Sequence, residues 1–224
     1  MLRLTNKSVG FDDNMKITIF GATGETGRQL VEQALATGYE VVAYICNPSK
    51  LNINHERLKV IQGELADEPL IESAVSGAGV VISALGPRGG SKNKPITHGM
   101  QNIIAAMKKQ GVHRLIITST LSAKDPKDQP ELKAKALVSI VKFTMRDSYE
   151  DIVSTAETVR NSGLDWTIVR LTMLNNNPKT GKVKAGYVGD GRIGTWTSRA
   201  DVADFMLKQV EHTEYLQQAP AISN

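Results

Sequence analysis

The sequence predicts an α/β protein built on a Rossmann-type, doubly wound parallel sheet, and three observations carry that expectation. Apolar, β-prone runs alternate with helix-forming segments almost without a break from residue 16 to residue 212, the pattern of a parallel sheet covered by helices on both faces. The first run, Ile17-Thr18-Ile19-Phe20, passes directly into Gly21-Ala22-Thr23-Gly24-Glu25-Thr26-Gly27-Arg28, which places three glycines three apart. No Ser/Gly/Pro-rich linker, repeat or low-complexity tract divides the 224 residues, a length that suits one domain.

In chain order, residues 1–14 read as an N-terminal extension ahead of the first strand, and 15–224 as the Rossmann domain including its substrate loops. Continuous apolar runs predict buried strands over 16–20, 41–45, 58–61, 80–84, 115–118 and 167–169. Helices are predicted over 27–37, 69–75, 97–110 and 152–161, with Gly38, Gly77, Gly111 and Gly163 as left-handed stops. Trp166 heads the sixth strand as a core residue. Ser198-Arg199-Ala200-Asp201 reads as a capping box before a last helix over 199–212, so Asp201 is expected to be structural. The stretch 131–146 carries Leu132, Leu137, Ile140, Val141 and Phe143 among lysines and predicts an ordinary amphipathic helix. Loop-rich stretches at 86–95, 121–130 and 174–197 each follow a strand's carboxyl end, where ligands bind in open α/β sheets. They are expected to form a small substrate region, the last with a short hairpin over 186–194.

The glycine segment is the chemical centre of the reading. A strand, a tight turn and a helix start leave several backbone N–H groups unpaired where the helix dipole adds positive charge, which suits a pyrophosphate. The glycines serve the turn, the approach of backbone to phosphate, and close packing of helix on strand. The spacing is G-x-x-G-x-x-G rather than G-x-G-x-x-G, and the following helix and second strand complete a βαβ unit.

Composition narrows the remaining classes. Hydrophobic residues at 41% and charged residues at 22% are the balance of an ordinary globular protein, and the net charge of +4 suits anionic ligands without implying nucleic acid. Cys46 is the only cysteine, so no internal disulfide is possible. It reads as a small buried residue. No apolar run reaches the roughly 18 residues of a membrane helix, and a cytoplasmic protein without nucleic-acid or membrane partners is expected.

The chain resembles the atypical short-chain dehydrogenase/reductases with an NAD(P)H-binding, NmrA-like domain, and within them the biliverdin-IXβ/flavin reductase type. The resemblance rests on Met15–Gly24, Gly38-Tyr39-Glu40-Val41, Asn102–Lys108, Thr118-Ser119 and Asp201–Leu207, taken in that order. It implies that Thr23, Gly24, Glu25 and Thr26 surround the pyrophosphate, with Gly21 and Gly27 of the same turn as further cofactor-binding residues, and that Glu64 and Leu65 sit against the adenine. It further implies that Leu85, Gly86 and Arg88 pass the middle of the cofactor, and that Ser119 stands beside nicotinamide and substrate with Thr120 in support.

Cofactor choice turns on the end of the second strand, where NAD enzymes place an acid for the ribose diol. Here stand Cys46 and Asn47, with Lys50 and Arg28 as nearby cations, so NADP(H) is favoured and NAD(H) is the alternative. The Tyr-x-x-x-Lys pair of ordinary short-chain dehydrogenases is absent: Tyr149 is followed four residues on by Val153. By the resemblance, Glu157 stands where many relatives carry lysine and Met173 where the biliverdin type has histidine. His55, His98, His113 and His212 share no constellation, and no metal spacing occurs. Arg170 suits either an anionic substrate or a loop anchor. The expected function is an NAD(P)H-dependent reductase of a small planar or carbonyl acceptor such as a flavin or quinone, working as monomer or homodimer. A non-catalytic NADP(H)-binding sensor is the competing expectation.

Overall fold

The computed structural model describes residues 15–87 and 92–224. Among these residues ten strands and six α-helices follow in the order β1 (Lys16–Phe20), α1 (Glu25–Thr37), β2 (Glu40–Ile45), β3 (Leu58–Gln62), α2 (Glu68–Val75), β4 (Val80–Ser83), α3 (Pro95–Lys109) and β5 (Arg114–Thr120). The second half runs α4 (Leu132–Thr144), α5 (Arg146–Arg160), β6 (Asp165–Leu171), β7 (Met173–Asn175), β8 (Lys184–Gly186), β9 (Trp196–Ser198), α6 (Arg199–Lys208) and β10 (Ala221–Ser223). Eight strands form one sheet in the order β3-β2-β1-β4-β5-β6-β10-β8, parallel except for β8 against β10. The strand order reverses between β1 and β4, which opens a crevice at their carboxyl ends.

Side-chain alternation builds the two layers. Ile17 and Ile19 of β1 pack with Val41 and Ala43 of β2 against Leu30 and Val31 of α1 and Val202 of α6. Phe20, Val42 and Tyr44 face the other way, onto Ile71 of α2, Met100 and Ile103 of α3, and Ala156 of α5. Burial on both faces explains why these strands read as unbroken apolar runs. Thr18 fits the same layer because its hydroxyl donates to the Ala74 carbonyl at 2.6 Å. Gly38, Gly77, Gly111 and Gly163 all adopt positive φ, as their positions after helices predict.

Four expectations need correction, the first being the burial of the strand over 58–61: β3 is the edge strand of the sheet, and Lys59 and Val60 are exposed. The hairpin over 186–194 does not form; β8 pairs antiparallel with β10, while β7 and β9 make a separate two-stranded parallel sheet. Strands of three residues carry too little periodicity to show which distant segment they will meet, and β10 is held by backbone pairing with β6. The last helix ends at Lys208 rather than 212, where the chain turns after Gln209. Cys46 is exposed, because it lies one residue beyond the buried end of β2. The N-terminal extension over 1–14 and Arg88 lie outside the described residues.

The loops at the carboxyl edge are tied by buried polar contacts. Arg170 is fully buried and donates to both oxygens of Asp128, at 2.6 and 2.7 Å, and from Nε to the Ala219 carbonyl at 2.6 Å. Asp128 also accepts from the backbone N–H of Asp125 and Val188. Arg170 is therefore a loop anchor. Asp201 accepts from Thr180 N at 3.0 Å, Gly181 N at 2.8 Å and Asn224 Nδ2 at 2.6 Å, as well as from the hydroxyl of its cap partner Ser198 at 2.7 Å. Burial alone would push this carboxyl up, but the donors outweigh it and hold it at about 2. Such a carboxylate binds loops together and takes no proton near neutrality.

Candidate functional site

A cleft of about 640 Å³ opens at the carboxyl ends of β1, β2, β3 and β4. Its floor is the glycine turn. Gly21 adopts φ +78 and approaches the backbone of Ala84, where a Cβ would lie 2.8 Å from the carbonyl carbon. The Gly24 N–H donates back to the Gly21 carbonyl at 3.0 Å. Helix α1 then starts from its N-cap Gly24, which lines the cleft, with no side-chain cap on its first-turn N–H groups. That opening suits an anionic group, and it is the observation on which the fit of a dinucleotide rests.

Opposite the turn, Asn47 caps a short 3₁₀ turn, Pro48–Lys50, accepting from the Ser49 N–H at 3.0 Å. This turn presents Lys50 to the cleft beside Cys46, with no carboxylate in the stretch 46–50. Glu64 and Leu65 are held on three sides. The Tyr44 hydroxyl donates to the Glu64 carbonyl at 2.7 Å, Asp67 accepts from the Glu64 N–H at 3.0 Å, and Asn102 donates to the Leu65 carbonyl at 2.8 Å. Tyr44 also leans on Phe20 with ring centroids 5.1 Å apart. Burial first, then the nearby Asp67, Cys46 and Glu64, push its hydroxyl up to about 12, so it remains a donor. Leu85 and Gly86 close the side toward β4.

Ten of the residues singled out in the sequence therefore share one cleft: Gly21, Thr23, Gly24, Cys46, Asn47, Lys50, Glu64, Leu65, Leu85 and Gly86. The others are placed elsewhere. Gly27 is buried in the contact between α1 and the turn, and Thr26 lies half-buried outside the lining. Glu25 and Arg28 line a second groove of about 570 Å³ on the other side of α1, where Glu25 pairs with Arg199 at 2.9 Å. Ser119 and Thr120 occupy the last two positions of β5, outside the lining of the first cleft. The Thr120 hydroxyl accepts the Ser122 N–H at 3.2 Å and so shapes the following loop.

Sequence reasoning missed the wall formed by the start of α3. Pro95, Ile96, His98 and Gly99 all line the cleft. Lys94 at the helix start has φ 49 and provides no side-chain cap. Asp151 of α5 supplies the cap, accepting from Ile96 N at 3.1 Å and Thr97 N at 2.8 Å. Because the capping carboxylate comes from another helix, no local pattern announces it. Gly99 has a clearer reason for its identity: a Cβ there would lie 2.7 Å from Leu65. Among the described residues no group of three or more His, Cys, Asp or Glu is placed to hold a metal ion.

The cleft at the strand-order reversal and the open helix start define a nucleotide-binding Rossmann protein. Residues 21–213 match the NAD(P)H-binding family model, and the chain belongs to that family. It is 28% identical over 183 residues to an uncharacterised chloroplastic protein of Arabidopsis thaliana, covering 75% of this chain but only 62% of that relative's length. Among solved structures, a short-chain dehydrogenase/reductase of Veillonella parvula in complex with NADP aligns at TM-score 0.74 and 24% identity, covering 94% of each chain. An anaerobillin reductase, ChuY, of Escherichia coli aligns at TM-score 0.72 and 22% identity, covering 93% of this chain and 97% of that one. At these identities the likeness is one of fold alone, and it agrees with the NAD(P)H-binding family. Among the described residues no helix is long and apolar enough to cross a membrane.

Proposed function

We propose that this protein is an NADPH-dependent reductase that delivers hydride to a small planar or carbonyl acceptor such as a flavin or quinone. The observation that carries the reading is the convergence of the uncapped α1 start, the 3₁₀ turn bearing Lys50, and the Glu64-Leu65 shelf on one cleft. In this reading the first-turn N–H groups and Thr23 hold the pyrophosphate, Leu65 and Tyr44 flank the adenine, and Lys50 meets the 2′-phosphate. Bound there, the reduced nicotinamide supplies the hydride. Ser119, at the carboxyl end of β5, orients the nicotinamide or the acceptor, and the loop over 174–195 excludes water. A flavin or quinone acceptor asks for little acid catalysis, which agrees with the missing Tyr-x-x-x-Lys pair. The NADP-bound and anaerobillin-reducing structures of the same fold support this choice of chemistry.

That missing pair also favours a second reading, a non-catalytic NADP(H)-binding sensor, and turnover separates the two. Under the reductase reading, purified protein oxidises NADPH when supplied with flavins or quinones. Ser119→Ala is expected to lower kcat about tenfold, the worth of one orienting hydrogen bond, with the Kd for NADPH unchanged. Tight NADPH binding with no turnover across the acceptor panel would leave the sensor.

A further inference from the structure

Helix α4 departs from the amphipathic design expected of a helix on a Rossmann domain. It packs chiefly on α5, and among its described residues none is fully buried. Four of its apolar side chains point outward, Leu132 being 84% exposed, Phe143 89%, Ile140 59% and Leu137 45%, while Val138 and Val141 are half-buried. Leu132, Ala136, Ile140 and Phe143 follow one another at spacings of four, four and three, so they form a single continuous stripe along the outer face. Lys135 and Lys142 lie about 60–80° beyond Leu132, at the edge of that stripe; both are exposed, with the Lys142 ammonium 5.7 Å from the Tyr149 ring centroid. Between Leu132 and Met145 there are three lysines and no acidic residue. Glu150 of α5 is engaged by Arg146 at 2.9 Å.

We propose that α4 is a docking element for an anionic lipid surface. An apolar stripe containing an exposed Phe, Leu and Ile, with lysines along its flank, is the composition that lets a helix lie in the membrane interface. The apolar side chains enter the acyl boundary while the lysines reach the phosphates, and their long aliphatic stems allow both at once. A second copy of the chain is a poor occupant of the same face, because docking α4 on α4 brings lysines against lysines. An anionic surface instead meets Lys135 and Lys142 on the flank of the stripe. The helix follows the loop that leaves β5, so docking through it holds the carboxyl edge of the sheet close to the lipid. This inference stands independently of the reductase reading, since it uses no residue of the cleft.

The test is flotation of the full-length protein with phosphatidylcholine vesicles, with and without phosphatidylserine, at low and high salt. Binding is expected only with phosphatidylserine present, and is expected to weaken at high salt. The double variants Ile140→Ser/Phe143→Ser and Lys135→Glu/Lys142→Glu are each expected to reduce the bound fraction about tenfold or more. Unchanged melting temperatures are expected for both, because every substituted side chain is exposed. Failure to bind phosphatidylserine vesicles would overturn the proposal, as would binding that neither double variant reduces. A homodimer in sedimentation velocity that Ile140→Ser/Phe143→Ser dissolves would also overturn it, by assigning the face to a second copy.

Discussion

Gly27→Ala is expected to cost the protein most of its stability, whereas Gly24→Ala is expected to keep the fold and lose nucleotide. The two glycines lie three residues apart in one motif, yet they meet different surroundings. A Cβ on Gly27 would sit 2.1 Å from the Gly21 carbonyl oxygen and 2.8 Å from the Ala22 Cα, both backbone atoms that no rotamer change can move. Relief requires α1 to shift away from β1, through a core that includes Leu30 and Ile19. Overpacking of this kind costs about 3 kcal/mol or more. At Gly24 the nearest atom to a new Cβ is the Gly21 oxygen at 3.3 Å, a contact that a few tenths of an ångström relieve. In the proposed binding mode the new methyl group stands where backbone approaches phosphate, so NADPH affinity should fall about tenfold or more while the unfolding midpoint stays near wild type. Urea denaturation and calorimetric titration of both variants make the comparison. Equal effects of the two substitutions on both measurements would contradict the division of labour.

Arg170→Met is expected to destabilise the fold by about 3–5 kcal/mol, the range for removing one partner of a buried ion pair. Arg170 is fully buried, and its partner Asp128 has a side chain only 15% exposed, so the substitution strands a carboxylate that water barely reaches. It also releases the Ala219 carbonyl and loosens the stretch before β10. The double variant Arg170→Met/Asp128→Leu should recover part of the loss, since it removes the unpaired charge, though the Asp125 and Val188 N–H groups then lose an acceptor. The pair also makes stability depend on pH. Burial pushes the Asp128 carboxyl up, but Arg170 and the backbone donors outweigh it, and the net shift is downward. A lowered carboxyl contributes its stability in full above the ordinary carboxylate range and loses it as pH falls through the folded-state value. The wild type should therefore lose more stability than the double variant on going from neutral to strongly acidic pH, as read by denaturant midpoints.

The parts of this architecture that sequence displayed are those with local causes. Strands β1, β2 and β4 are buried on both faces and so had to be continuous apolar runs, and the Gly21-to-Gly27 turn carries its geometry in its own glycines. Lys50, expected as a cation near the end of β2, and Leu65, expected only from the family resemblance, both line the cleft. What stayed hidden depends on distant partners. The α3 cap comes from Asp151, β8 meets β10 across 35 residues of chain, and Arg170 finds Asp128 on another loop. Cys46 was misread because residue type suggested burial, while its position just past β2 decides exposure. The outward stripe of α4 was visible as a set of apolar residues, but only packing shows that the stripe faces away from the protein.

The central claim, that the cleft at the β1–β4 reversal holds a dinucleotide with its 2′-phosphate at Lys50, is tested most directly by calorimetric titration of the cofactor-free protein with NADPH and NADH. The account predicts one site, tighter binding of NADPH than of NADH, and a loss of about tenfold or more in NADPH affinity on Lys50→Glu with NADH affinity little changed. Absence of binding for both nucleotides, or a Lys50→Glu variant that still prefers NADPH as strongly as the wild type, would contradict it.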